Sequence, residues 1–166
     1  MTGAGEARPL LAIDAGVRET GWAIFGPAGL DRTGVIAVAR RGRVDGVERV
    51  DHLIQCLDGL VDWWQPDTVA CCQPSGINWP IPSLELLEAA LSLWADRRGL
   101  HLYTYSTQEV RSAIAGHANA SRDQLGYAIM VRLGLIGQGK TTHEWEAVAA
   151  GHYHLTRHHG LTPRAR

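Results

Sequence analysis

At Val47 the hydrophobic spacing switches from short runs to three- and four-residue steps, and that switch limits the possible folds more than any other feature. Before it, Leu10 to Asp14, Gly21 to Phe25 and Gly34 to Ala39 are apolar stretches parted by Ala15-Gly16, Gly26-Pro27 and Asp31-Arg32-Thr33-Gly34. Short runs bounded by turn residues predict a three-stranded antiparallel meander. After it, Val47, Val50, Leu53, Ile54, Leu57, Leu60, Val61 and Trp64 share one helical face. Gln65-Pro66-Asp67 ends that helix, and Thr68 to Cys72 reads as a fourth strand. A helix is expected from Pro82 to Arg98 and a fifth strand from Leu102 to Tyr105. Ser106 with Glu109, Ser121 with Gln124, and Thr141 with Glu144 are N-cap signatures of three more helices. Strands first, then strands alternating with helices, specify a mixed-sheet α/β domain.

The chain has 166 residues, room for one domain. It divides into an N-terminal tail at 1–8, the domain at 9–157 and a basic tail at 158–166. Lys plus Arg number 16 against 17 Asp plus Glu, a net charge of -1, so strong whole-molecule steering onto nucleic acid is excluded while a local basic patch is not. No apolar run reaches the roughly 18 residues of a membrane span, and the N-terminus carries no secretory pattern. Cys56, Cys71 and Cys72 form neither a disulfide framework nor a spaced zinc site, so a reducing, cytoplasmic setting is expected.

Three positions offer chemistry. Asp14 ends the first strand, where a sheet meets its loops, and glycines beside it allow a close approach to the backbone. An aspartate bonding its own turn would look the same. His143 and Glu146 are three apart in the first turn of the last helix, so imidazole and carboxylate reach one point. Acids also favour helix N-termini for their own sake. The small residues Ala147, Ala149, Ala150 and Gly151 let that helix lie close on a sheet. The fourth strand ends in Cys71-Cys72-Gln73-Pro74, thiols and an amide where a carboxylate would complete a metal site with Asp14.

Two motifs mislead. Gly134 to Thr141 satisfies the phosphate-loop pattern, yet a helix precedes it where a strand is required, so no nucleotide cofactor is expected. His152, His154, His158 and His159 lack a ligand spacing for a metal and read as a solvated or DNA-facing helix end.

Leu11-Ala-Ile-Asp14-Ala-Gly16-Val-Arg-Glu-Thr-Gly21-Trp22, Pro66-Asp67 to Gln73, Tyr105 to Ala115, Ser121 to Leu133 and His143-Glu-Trp-Glu146-Ala-Val-Ala-Ala follow one another in a familiar order. The chain resembles RuvC-type Holliday-junction resolvases of the ribonuclease-H-like superfamily over roughly residues 9 to 157. The resemblance implies an α/β fold with a ribonuclease-H-like five-stranded mixed sheet and helices on both faces, in a homodimer. It implies a structure-selective endonuclease that resolves four-way DNA junctions with two Mg2+ (or Mn2+) ions per site. One ion would activate the attacking water and the other stabilise the leaving 3′ oxygen.

The family's ligands map onto Asp14, the strand-four position, His143 and Glu146. Without a gap the strand-four glutamate falls on Cys72; shifted by one, with a bulge, it falls on Gln73. Gln73 is taken as the catalytic and metal position, a near-isostere of glutamate that reads as a degenerate site or as a deliberate Glu-to-Gln replacement made to trap substrate. Arg111 and Arg122 stand where the family binds the DNA backbone; Arg18 lies beside the first strand. Trp79 is placed to stack on an unpaired base or to sit in the core or dimer interface. The rival reading is an inactive domain that binds branched nucleic acid or a protein. A relaxed ribonuclease would share the same sheet and site. A sugar-kinase or actin-like fold needs two such domains, more than 166 residues hold.

Overall fold

The computed structural model describes residues 8–16, 18–37, 45–73 and 82–159. Its elements run β1 (Leu10–Asp14), β2 (Glu19–Gly26), β3 (Gly29–Ala37), α1 (Gly46–Trp64), β4 (Thr68–Gln73), α2 (Pro82–Arg98), β5 (His101–Ser106), α3 (Thr107–Ala115), α4 (Arg122–Arg132) and α5 (Thr142–His159). The strands form one sheet in the order β3-β2-β1-β4-β5. β1 pairs antiparallel with β2 and parallel with β4, and β5 continues parallel beyond β4.

β1 is buried along its whole length, so alternate residues serve two cores. Leu11 and Ile13 face α1 and α2, packing with Leu53, Leu57, Leu91 and Trp94. Leu10 and Ala12 face the other way, onto α5 with α3 and α4 behind it, among Val110, Leu125, Ile129 and Val148. Asp14 is next in this second register, so β1 delivers it to the α5 side.

The meander is present, with one difference. β3 begins at Gly29, after a two-residue hairpin at Pro27-Ala28, and Asp31 to Gly34 lie inside the strand. β3 is the sheet edge, partly exposed along its length, so polar residues there meet solvent and do not break it. The caps at Ser106 and Ser121 are both complete capping boxes. Thr141 and Glu144 exchange the equivalent bonds at 2.8 and 3.2 Å, starting α5 where the sequence places it.

α5 lies against β1 and β2 because it presents almost no side-chain bulk to them. Ala147, Val148, Ala149 and Ala150 are fully buried, and a Cβ at Gly151 would overlap the Phe25 ring and crowd Ala12. At its first turn, a Cβ on Gly21 of β2 would overlap the His143 carbonyl. Glycine at 21 is therefore what lets the helix start directly over the ends of β1 and β2. No helix among the described residues is long and apolar enough to cross a membrane.

Candidate metal and nucleic-acid site

Asp14 leaves β1 at the end where the parallel strands open. The Ala15 N–H donates to the Cys72 carbonyl (3.2 Å), keeping β1 and β4 in step to their last residues. The following turn is clipped by Thr20, whose hydroxyl bonds the Gly16 N–H and carbonyl at 3.3 and 3.1 Å. His143 and Glu146, one helical turn apart on α5, complete a group with Asp14 whose ligand atoms lie within 4.8 Å of one another.

His143 Nδ1 is 2.8 Å from Asp14 Oδ2, a bond that needs one proton between them. Its Nε2 is 3.6 Å from Glu19 Oε2 at the start of β2. The bond to Asp14 raises the imidazole above its ordinary range. Glu146 is almost completely enclosed, and burial, with the Asp14 charge beside it, pushes its carboxyl up to about 7. Glu146 Oε1 receives Arg111 of α3 at 3.2 Å and Arg122 of α4 at 3.5 Å. Glu146 Oε2 is buried and has no hydrogen-bond partner among the described residues.

The donor set fits a divalent cation. Two carboxylates and an imidazole converge, and a buried oxygen without a partner is costly unless something positive meets it. Asp14, His143 and Glu146 would hold the ion.

β4 does not supply a fourth anionic ligand. The β1–β4 register runs from Leu10↔Thr68 to Asp14↔Cys72 without a bulge. Cys72 therefore stands beside Asp14 and packs on the α5 side with Ala12 and Val148, whereas Gln73 alternates to the opposite face. Gln73 borders a small cavity with Ala15, Leu84, Leu87 and Glu88, away from His143 and Glu146. The bulge that would have carried Gln73 into the cluster is absent, and the Glu-to-Gln reading falls with it. Burial, then the nearby Asp14 charge, pushes the Cys72 thiol up to about 12, so it stays protonated. Its Sγ lies 3.8 Å from Thr107 Oγ1, and Thr107 in turn donates to the Gln73 carbonyl at 2.9 Å.

The cluster floors a cleft of about 480 Å³, with Thr107, Gln108 and Asn119 on its walls and Arg111 and Arg122 at its side. Arg18 is exposed and borders a separate cavity of about 220 Å³, with Arg49, Val50 and Leu87. Trp79 lies outside the described residues. Thr107, Glu19 and Asn119 carried no sequence signal beyond helix-cap and turn chemistry; only the packing of α3 and β2 on the strand ends brings them here.

Gly134 to Thr141 connects α4 to α5, with Lys140 donating to Thr33 (3.1 Å) and lying over the Trp145 ring. The histidine run is divided: His152 and His154 are buried while His158 is exposed, and Tyr105 Oη meets His154 Nδ1 at 2.8 Å and His158 Nε2 at 3.1 Å. α5 continues through these residues to His159.

A family model described as crossover junction endodeoxyribonuclease RuvC matches residues 10–154. The chain belongs to the RuvC family. The RuvC of Salinibacter ruber is 31% identical over 124 residues, covering 72% of this chain and 69% of that one. The RuvC of Caulobacter vibrioides is 29% identical over 154 residues, 88% of this chain and 89% of its own. Among solved structures, Thermus thermophilus RuvC bound to a Holliday junction superposes with a TM-score of 0.73 at 20% identity, covering 92% of this chain and 96% of that one. That likeness shows that the RuvC fold is shared almost end to end.

Proposed function

We propose that this RuvC-family chain resolves four-way DNA junctions by metal-dependent phosphodiester hydrolysis. The observation that carries the reading is the Asp14-His143-Glu146 group, drawn together within 4.8 Å at the open end of a RuvC fold. A bound Mg2+ or Mn2+ would polarise the phosphate and make its bound water a nucleophile near neutral pH.

The residues around it have separable tasks. Asp14 and Glu146 present carboxylate oxygens from a strand and a helix that cannot move independently, since α5 is packed directly on β1. His143, tied to Asp14 through Nδ1 and with Nε2 beside Glu19, borders the cleft, where it would orient water or add a ligand. Arg111 and Arg122 lie beside Glu146, where they would meet the phosphate oxygens. In the reaction a water loses a proton as its oxygen bonds to phosphorus, the P–O3′ bond breaks and the 3′ oxygen takes up a proton in its place. The products are a 5′-phosphate and a 3′-hydroxyl.

Contacts to phosphates carry no base information, so the substrate is selected by its shape. A homodimer fits this work, because two sites would nick two symmetric strands. Leu86 and Leu93, exposed on one stripe of α2 with Ala90 between them, support α2 as the contact between protomers.

The test is a synthetic four-way junction with Mn2+. The expected result is paired, symmetric nicks with 5′-phosphate ends, reduced by at least about 10²-fold in Asp14→Asn. Junction binding without nicking by the unmodified chain would replace this reading with that of a silent junction-binding domain; 3′-phosphate ends would exclude the mechanism.

A further inference from the structure

We propose that this site holds one divalent ion where a two-metal nuclease holds two, and that Arg111 and Arg122 supply at Glu146 the positive charge of the missing ion. The inference rests on the metal-nuclease reading above and specifies the composition of its centre.

A second ion needs an anionic oxygen from β4 facing Asp14. The residue at that place is Cys72, 3% exposed, and its side chain ends in a thiol where a carboxylate oxygen is required. Sulfur is a poor ligand for the hard cations that phosphoryl chemistry uses. Among the described residues, the donor atoms that lie within 4.8 Å of one another belong to Asp14, His143 and Glu146, without Cys72. Gln73, whose amide oxygen would be the substitute, faces the other side of the sheet.

On the far side of the cluster the opposite holds. Two guanidinium groups from two different helices converge on one carboxylate oxygen, Glu146 Oε1, at 3.2 and 3.5 Å. Each helix is locked at its start by a capping box, and Arg122 is the first residue of α4. The Arg111 side chain is only 21% exposed, and its Nε is buried with no partner among the described residues. The arginines thus engage Oε1 and leave Oε2 for a single ion.

Charge decides between one ion and two. Asp14 and Glu146 balance Arg111 and Arg122, and Glu19 beside His143 adds one negative charge, so a single divalent ion already leaves the site net positive. That surplus favours the dianionic phosphorane formed when water adds to a phosphodiester and gives up a proton. A second ion would add two more positive charges where, among the described residues, no further anionic donor joins Asp14, His143 and Glu146 within 4.8 Å, and like charges at such separations repel strongly. Guanidinium groups stabilise developing phosphoryl charge in the same sense as a cation.

The experiment counts Mn2+ bound to the metal-free full chain, by equilibrium dialysis with electron paramagnetic resonance of the free ion. One Mn2+ per chain is expected, and two in Cys72→Glu. The double variant Arg111→Gln/Arg122→Gln should bind its single Mn2+ roughly 3- to 10-fold more tightly, because repulsion is relieved. Its single-turnover nicking at saturating Mn2+ should nevertheless fall about 10²-fold. Arginines that merely brace Glu146 would instead weaken Mn2+ binding and nicking together, which would overturn their role. Two Mn2+ in the unmodified chain, or one in a folded Cys72→Glu protein, would overturn the inference. If Cys72→Glu does not fold, Cys72→Asp takes its place under the same criterion. Absence of nicking in every protein would count against the junction-nuclease reading alone, since the Mn2+ counts stand without it.

Discussion

A single position separates Cys72 from Gln73, and the consequences differ completely. On a pleated strand, neighbours face opposite sides, so only one of the two can address Asp14. The unbroken register assigns that place to Cys72. Gln73→Glu should therefore leave both the Mn2+ count and the rate of junction nicking unchanged, within about twofold, although it places a carboxylate one residue from the site. A rise in Mn2+ count in that variant would show that β4 carries a bulge after all. Within Glu146, burial raises the carboxyl and the two oxygens differ, Oε1 meeting Arg111 while Oε2 has no hydrogen-bond partner among the described residues. One belongs to the arginines and the other is open to an ion.

At the scale of elements, the site depends on where α5 begins. Gly21 is the residue that permits it, because any side chain there meets the backbone of His143. Backbone cannot swing aside as a flexible side chain can. Gly21→Ala should cost about 1–3 kcal/mol in a denaturant titration and should weaken Mn2+ binding, since His143 and Glu146 would be lifted from Asp14. α3 is set by its capping box, and Glu109 also accepts from Tyr153 of α5 at 3.0 Å. The Ser106 N–H is the main cause holding the Glu109 carboxyl below the usual carboxylate range. A lowered folded-state value means stability that is present above the ordinary carboxylate range and lost as pH falls through the lowered one. Glu109→Ala should melt below the parent protein at pH 7, and the gap should close on acidification below about pH 4, read by thermal melts across pH.

At the scale of the whole molecule, the two faces of the sheet divide the work. The α5 side carries the Asp14-His143-Glu146 group, while α1 and α2 close the other core and leave Leu86 and Leu93 outward. Replacing both leucines with glutamate should leave the Mn2+ count unchanged and shift the protein towards monomer in sedimentation velocity. Paired nicks in one junction should then give way to single, uncoupled nicks. A stable dimer in that variant would move the protomer contact away from α2.

The order and type of the elements, the three N-caps and the pairing of His143 with Glu146 were legible in the amino-acid sequence, because each depends on residues a few positions apart. Periodicity, cap chemistry and one helical turn are local quantities. Asp14 was legible as a candidate for the same reason: it ends an apolar run before glycine. What decided between Cys72 and Gln73 was pairing between strands more than fifty residues apart, and no local pattern reports a register. The recruitment of Arg111 and Arg122 to one oxygen of Glu146 and the burial of His152 and His154 were likewise decided in three dimensions. Each is a contact between separate elements, so each exists only once α5 has been laid across the sheet.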